Sequence, residues 1–487
     1  MDRRCFLSSV GATLATPALT LASSIPGLAA AATEISVTMP NVIIMICDDL
    51  GYGDLGCYGS KINTPHLNRM AAEGVRFTRY NSAHPICSAS RAALLTGRYG
   101  TRSGVPDAFS PLEKGGMNLD EITLANVLKE RGYRTMCIGK WHLGHTEPYL
   151  PTNRGFDEFF GVPYSVDMTP LPLIHNTTVI EEDTDRDLLT PRYTKQAVKF
   201  IRRAKRRPFF LYVAFSFPHI PLNVSSRFRG KSRLGIYGDA VEEIDWSVGK
   251  ILETLKENNL DRNTLVVFTS DHGPWYQGSA GHLRGRKMTN YEGGVRVPFI
   301  ARWTGRIPAG RVSNAWISEL DVLPTIASLC QAHLPPRPLD GVNVTDLLTC
   351  RKDNIERPAL LYFFRYDLQC ARQMNWKLWF ANYNRDYYNP GVERHNYFLY
   401  RPELYNLDDD PAESYCVAYR NPAIVASIMN QVESMMHTFP QHVQDMYRET
   451  KSRVGSAFTP IAAYPMPRGY KRPAWVYISK HDFKQQP

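Results

Sequence analysis

Asn41-Val42-Ile43-Ile44-Met45-Ile46-Cys47 runs straight into Asp48-Asp49. Seven residues with no charge, rich in branched aliphatic side chains, read as a strand covered on both faces, since a half-exposed strand would alternate polar with apolar. Two carboxylates then stand at its carboxyl end. Three more runs repeat the form: Arg134 to Ile138 leads into Lys140-Trp141-His142, Pro208 to Phe217 into His219, and Thr264 to Thr269 into Asp271-His272. A mostly parallel sheet binds ligands beyond the carboxyl ends of its strands, so these four polar sets are expected to meet in one crevice.

Helical patterns alternate with these strands. Thr64 is placed to cap a helix with Pro65 in its first turn and Gly74 as its stop. A second is expected from about Asp120 to Arg131, ahead of Gly132. A third spans about Asp239 to Asn259, where Val241, Ile244, Val248, Ile251, Leu252 and Leu255 recur at helical spacing. The fold class is therefore α/β, a large mostly parallel central sheet flanked by helices. After Pro335-Pro336-Arg337-Pro338 the texture changes. Leu360 to Phe364, Trp376 to Phe380 and Tyr397 to Tyr400 are short aromatic runs that suggest a smaller antiparallel sheet, with Met429 to Met436 as an accompanying helix. The expected division is residues 1–32 as a signal, 33–345 as the α/β catalytic part and 346–487 as a smaller C-terminal α+β part. The tail from Pro465 reads as irregular surface chain.

The signal rests on Arg3-Arg4 ahead of a mildly apolar run that ends in Ala29-Ala30-Ala31-Ala32. This is the pattern of a twin-arginine export signal, so the export machinery for folded proteins is an expected partner and the periplasm or the exterior the expected location. Pro17, Ser23, Ser24 and Pro26 interrupt the run and argue against a membrane-spanning helix, and no later segment could span a bilayer. With 43% apolar residues over 487 positions, the chain is long and apolar enough for a large core. The net charge of +10 suits an anionic substrate, but no nucleic-acid module accompanies it. Its densest basic run, Arg202-Arg203-Ala204-Lys205-Arg206-Arg207, reads as a solvated helix end. Nine cysteines, eight without Cys5 and seven if Cys87 is modified, do not suggest a disulfide scaffold, and Cys47 and Cys137 read as core residues.

Asp48, Asp49 and Asp271 offer hard oxygen ligands of the type calcium prefers. Adjacent carboxylates repel unless a cation balances them. The competing reading, a helix cap plus a surface acid, is weakened by Asp271-His272-Gly273 following a separate buried strand. Cys87-Ser88-Ala89-Ser90-Arg91, continued by Ala92-Ala93-Leu94-Leu95-Thr96-Gly97-Arg98, opens a helix near Ser88. A thiol there could be activated by the helix N-terminus, although no general base precedes it in sequence. The bland alternative is a buried cysteine beside a capping serine.

The cysteine motif resembles the mark at which type I sulfatases carry formylglycine. Four further segments resemble the arylsulfatase A and N-acetylgalactosamine-6-sulfatase branch in the same order: Asp48-Asp49-Leu50-Gly51-Tyr52-Gly53, Gly139-Lys140-Trp141-His142, Pro151-Thr152-Asn153-Arg154-Gly155-Phe156-Asp157 and Tyr291-Glu292-Gly293-Gly294-Val295-Arg296. The later Leu404-Tyr405-Asn406-Leu407-Asp408-Asp409-Asp410-Pro411 resembles the family's C-terminal part. The resemblance implies a sulfatase that cleaves sulfate monoesters, with sulfated carbohydrate as substrate and aryl sulfates as surrogates. It implies a formylglycine made from Cys87 by a maturation enzyme, with one hydroxyl of the hydrate attacking sulfur and the other later expelling sulfate. It implies a cation, calcium rather than magnesium, held by Asp48, Asp49, Cys87, Asp271 and His272. His272 departs from the Asn of many relatives, although iduronate sulfatases resemble this chain in having Asp-His. By the same resemblance Arg91 stabilises the hydrate, Lys140 and Lys287 contact sulfate, His219 protonates the leaving alcohol and His142 helps discharge the covalent sulfate. Preorganised cations suit a transition state that spreads negative charge over sulfonyl oxygens. Arg284 and Arg286 compete with Lys287 for its role.

Two rivals remain open at this level: a formylglycine-dependent phosphonate or phosphate monoester hydrolase, and a non-catalytic protein that binds sulfated glycans. The second metal set of a two-metal phosphatase is not found in the sequence. The segments Val162 to Thr178 and Trp275 to Arg286 are expected to form the pocket rim as loops.

Overall fold

The computed structural model describes residues 39–204, 206–383 and 396–454. The expected signal, Cys5 and the tail from Pro465 lie outside these residues.

Strand β1 (Asn41–Cys47) is buried along its whole length. Successive side chains of a strand point to opposite faces, and here the faces meet different partners. Val42, Ile44 and Ile46 pack with Leu95, Leu124 and Leu128, whereas Ile43, Met45 and Cys47 pack with Leu67, Val241, Ile244 and Val248. Full burial of such a side chain contributes roughly 1.5–3 kcal/mol, so both faces hold the strand in register. Around β1 the sheet adds β2 (Val75–Asn81), β3 (Arg134–Lys140), β4 (Glu158–Val162), β5 (Leu173–His175), β6 (Thr178–Glu181), β7 (Phe209–Ala214), β8 (Thr264–Ser270), β9 (Arg296–Arg302) and β10 (Arg311–Ser318). Their order is β10-β2-β9-β8-β1-β7-β3-β4-β5-β6. The run β8-β1-β7-β3-β4 is parallel, with antiparallel pairings at β9 and beyond β4. The mixed α/β architecture is the one expected. The supposed rim loop from Val162 contains β5, so it is partly strand.

Helices differ from their expected bounds for local reasons. Helix α1 (Pro65–Ala72) does begin at Pro65, but the Thr64 hydroxyl does not cap it. That hydroxyl accepts from Gly56 N and donates to Asn68 Oδ1. The free N–H groups of His66 and Leu67 are met instead by the Asp245 carboxylate of a distant helix, which burial pushes up to about 7. Gly74 is not a left-handed stop. A Cβ on it would lie 2.2 Å from the Ala301 carbonyl oxygen, so close approach to β9 requires it. Helix α2 (Cys87–Thr96) starts one residue before Ser88. Helix α3 (Leu124–Lys129) is shorter than Asp120 to Arg131, because Thr123 and Asn126 form a reciprocal capping box that fixes its start. Helix α4 (Leu189–Ala204) leads into β7, and α5 (Gly235–Glu257) begins and ends earlier than Asp239 to Asn259.

The smaller sheet is antiparallel: β11 (Leu360–Phe364), β12 (Asp367–Gln373), β13 (Trp376–Tyr383) and β14 (Asn396–Asn406). Helices Pro422–Met436 and Gln441–Ser452 bury Ile428, Val432 and Val443 against it. The first of these starts well before Met429, and Pro422 in its first turn explains the start. The same cluster reaches Ala93, Tyr99, Trp316 and Leu320, so α2 lies between the two sheets. All eight described cysteines are free thiols, with Cys47 and Cys137 in the core. No helix among the described residues is long and apolar enough to cross a membrane.

Candidate active site

The parallel strands deliver their polar residues to one end of the sheet. Asp48 and Asp49 follow β1, Asp271 and His272 follow β8, Lys140 ends β3, and all five are almost fully buried. Backbone bonds lock the strand ends together: Asp271 N donates to Cys47 O and Asp48 N to Phe217 O. Asp49 holds a left-handed φ of 67° and His142 one of 58°. Such conformations cost about 1–3 kcal/mol in a non-glycine residue and are kept only where the surroundings impose them.

Asp48, Asp49, Asp271 and His272 each place a ligand atom within 4.8 Å of the others, and Asp48, Cys87 and His272 form an overlapping group. Asp48 Oδ1, Asp49 Oδ2 and His272 Nε2 are buried without a hydrogen-bond partner. Buried polar atoms are normally satisfied, so three acceptors without partners around one point form a group able to hold a cation. His272 Nδ1 lies 2.9 Å from the Gly273 carbonyl, which keeps a proton there, so that in the neutral imidazole Nε2 is the lone pair facing the group.

Cations surround this anionic centre. Arg91, fully buried on α2, donates from Nε and Nη2 to Asp271 Oδ2 at 3.1 and 2.8 Å, and from Nη1 to Lys140 O at 3.3 Å. Lys140 Nζ lies 2.5 Å from Asp48 Oδ2, and Lys287 Nζ 2.7 Å from Asp49 Oδ1. Burial opposes ionisation of Asp48, but Lys140, His219 and Arg91 outweigh it and hold the carboxyl well below its usual range. Burial likewise disfavours a Cys87 thiolate, yet the Lys140 charge and the imidazoles of His142 and His272 pull the thiol well below its ordinary value. The bases absent upstream in the sequence are therefore supplied by folding. His142 Nε2 is 2.9 Å from Phe109 O, leaving its buried Nδ1 without a partner. His219 turns Nδ1 to the Ile220 carbonyl and places Nε2 3.8 Å from Asp49 Oδ2.

Thus Cys87, Arg91, Lys140, His142, His219, Lys287, Asp48, Asp49, Asp271 and His272 are brought to one centre. Arg284 and Arg286 are engaged elsewhere, with Glu413 O and with the carbonyls of Trp275 and Gly278. Sequence reasoning missed Ser90 and Glu319. The Ser90 hydroxyl donates to the Asp271 carbonyl and also lies 3.0 Å from Glu319 Oε2, which accepts from Ala83 N as well. Burial pushes the Glu319 carboxyl well up. A lone glutamate far along the chain carries no spacing signal that could have flagged it.

Gly139 precedes Lys140 with φ 98°, and a Cβ there would sit 1.9 Å from the Ala214 carbonyl oxygen. Gly139→Ala is expected to cost about 3 kcal/mol, from backbone strain and overpacking together. Urea unfolding measures it, and an unchanged midpoint would contradict this close approach.

The family described as Sulfatase matches residues 40–332, and the family described as N-sulphoglucosamine sulphohydrolase, C-terminal, matches residues 280–442. Arylsulfatase G of Rattus norvegicus is 36% identical over 438 residues, covering 78% of this chain and 83% of its own. N-acetylgalactosamine-6-sulfatase of Homo sapiens is 38% identical over 431 residues, covering 78% and 82%. Among solved structures, a sulfatase from Pseudoalteromonas sp. superposes with a TM-score of 0.75 at 28% identity, covering 85% of this chain and 92% of its own.

Proposed function

The chain belongs to the sulfatase family, and from that premise we propose that it releases inorganic sulfate from a sulfated carbohydrate, using a formylglycine at position 87 and a calcium ion. It is a sulfuric ester hydrolase. The likeness to N-acetylgalactosamine-6-sulfatase supports a sugar sulfate as the substrate. What carries the reading is the set of orphaned acceptors on Asp48, Asp49 and His272 beside a Cys87 flanked by Lys140 and His142.

Asp48, Asp49, Asp271 and His272 would hold the ion, with the side chain of residue 87 completing the set. Three hard carboxylates favour calcium over softer metals. Bound there, calcium supplies fixed positive charge against the sulfate oxygens. A formylglycine hydrate supplies two hydroxyls on one carbon, one for attack on sulfur and one for later release of sulfate. The remaining roles belong to the chain. Arg91 orients residue 87 from a position fixed by Asp271 and Lys140 O. Lys140 and Lys287 hold sulfonyl oxygens where charge accumulates. His219 Nε2 gives a proton to the departing sugar oxygen, and His142 Nδ1 takes one from residue 87 when sulfate leaves. The bond broken is sulfur to oxygen.

Mass spectrometry of the peptide spanning Cys87, on protein made with a formylglycine-generating enzyme, tests the nucleophile. The expected result is the aldehyde or its hydrate together with turnover of 4-nitrophenyl sulfate, lost on chelation and restored by calcium. An unmodified thiol with no turnover would favour a sulfated-glycan binding protein. Faster turnover of a phosphate or phosphonate ester than of the sulfate would favour the hydrolase rival.

A further inference from the structure

Helix α4 carries Lys195, Lys199, Arg202 and Arg203 at spacings of four, three and one, which places them along one side of the helix. Across the seam, α5 presents Trp246 and Lys250, again four apart. These six residues line a groove of about 640 Å³ floored mainly by apolar surface, within the size range of ligand sites. Among the described residues, no carboxylate lines it. Glu257 pairs with Arg202, Glu158 with Arg203 and Glu253 with Lys250 from outside the groove. No ion pair among the described residues engages Lys195 or Lys199, and like charges four apart weaken a helix rather than support it.

The aromatic element points the same way. The half-buried Trp246 ring lines the groove, and Arg227 lies 4.7 Å from the ring centroid. A second cavity of about 390 Å³ adjoins across α4 and shares Lys199 and Arg203. Helix α4 ends just before β7 begins, so Arg202 and Arg203 lie toward the opposite end of the sheet from the catalytic centre.

We infer that the α4–α5 groove is a second, non-catalytic binding site for a sulfated polysaccharide, which would hold the polymer while a separate residue of it is processed at the sheet's carboxyl end. Lys195 and Lys199 meet sulfate groups, while the half-buried Trp246 ring gives the sugar an apolar edge to lie against. The inference rests on the proposed sulfatase activity only for the identity of the polymer.

The test uses the full chain, with dextran sulfate as the probe and neutral dextran as the control, in affinity electrophoresis at two salt concentrations. The variant Lys195→Ser/Lys199→Ser removes exposed charges from the helix surface, and Trp246→Phe keeps most of the aromatic volume. The lysine pair is expected to weaken dextran sulfate binding about tenfold, and Trp246→Phe several-fold. Neutral dextran should not be retarded, and turnover of 4-nitrophenyl sulfate should be unchanged in both variants. Dextran sulfate affinity unaltered by the lysine pair would overturn the inference, as would equally tight, groove-dependent binding of a single-stranded oligonucleotide. Absence of 4-nitrophenyl sulfate turnover in the parent protein strikes the catalytic proposal alone, because the affinity measurement does not depend on it.

Discussion

Cys87→Ala will lower kcat for 4-nitrophenyl sulfate by about four orders of magnitude or more, the scale on which enzymes lose rate when a covalent nucleophile is removed. The loss should be almost entirely chemical. Cys87 is 3% exposed in the first turn of α2, and alanine is smaller and a better helix former, so the helix has no reason to unwind. Lys140 and Lys287 stay in place, and inorganic sulfate should still inhibit any residual turnover or, failing that, still protect the protein against heat. A variant that kept even a hundredth of the parent rate would remove residue 87 from the chemistry and turn attention to an activated water. Melting curves recorded alongside separate this result from unfolding.

Arg91→Ala is expected to cost about 3–5 kcal/mol of stability, because removing one partner of a buried ion pair leaves the other charge uncompensated. Arg91 and Asp271 are both fully buried, and the guanidinium also lies 3.6 Å from Asp48 Oδ1. The measurement is urea unfolding in the presence of a chelator, since a bound cation would itself offset the exposed carboxylates. Arg91→Lys keeps the charge but not the planar fork that reaches Asp271 and Lys140 O together, so it should lose less stability and still lower kcat by about 10²–10³. A cost under about 1 kcal/mol for the alanine variant would mean that the carboxylates are neutralised by something other than Arg91.

The strands that carry the site were legible because they are covered on both faces and read as unbroken apolar runs. β2, β9 and β10 were not. Arg76 and Arg79 interrupt β2 and β10 is half exposed with Ser313 and Asn314 in it, so neither has that signature, while β9 is fully buried but carries Pro298, a residue that argues against a central strand. The start of α1 was legible from Pro65 but its cap was not: nothing local to Thr64 reveals that Asp245 meets the first N–H groups of α1. The site residues were legible largely through their motifs, and strand-end placement explains why motifs so far apart in the chain share one centre. Ser90 was inside the quoted motif, yet its bond to the Asp271 carbonyl and its approach to Glu319 depend on tertiary contacts alone.

All ten residues of α2 are buried, with Ala92 and Leu95 packed toward the large sheet and Ala93 toward the small one. Among the described residues, the backbone around Cys87 is therefore closed to a modifying enzyme that must grip the chain, so the proposed formylglycine would have to be made before α2 is enclosed. On that proposal, enzymatic conversion of Cys87 would compete with docking of the C-terminal sheet, and the fraction of active molecules would be a ratio of two rates rather than an equilibrium. Slower folding would then yield more active protein, so a mild loss of stability in the small sheet could raise specific activity even as it shortens the protein's life.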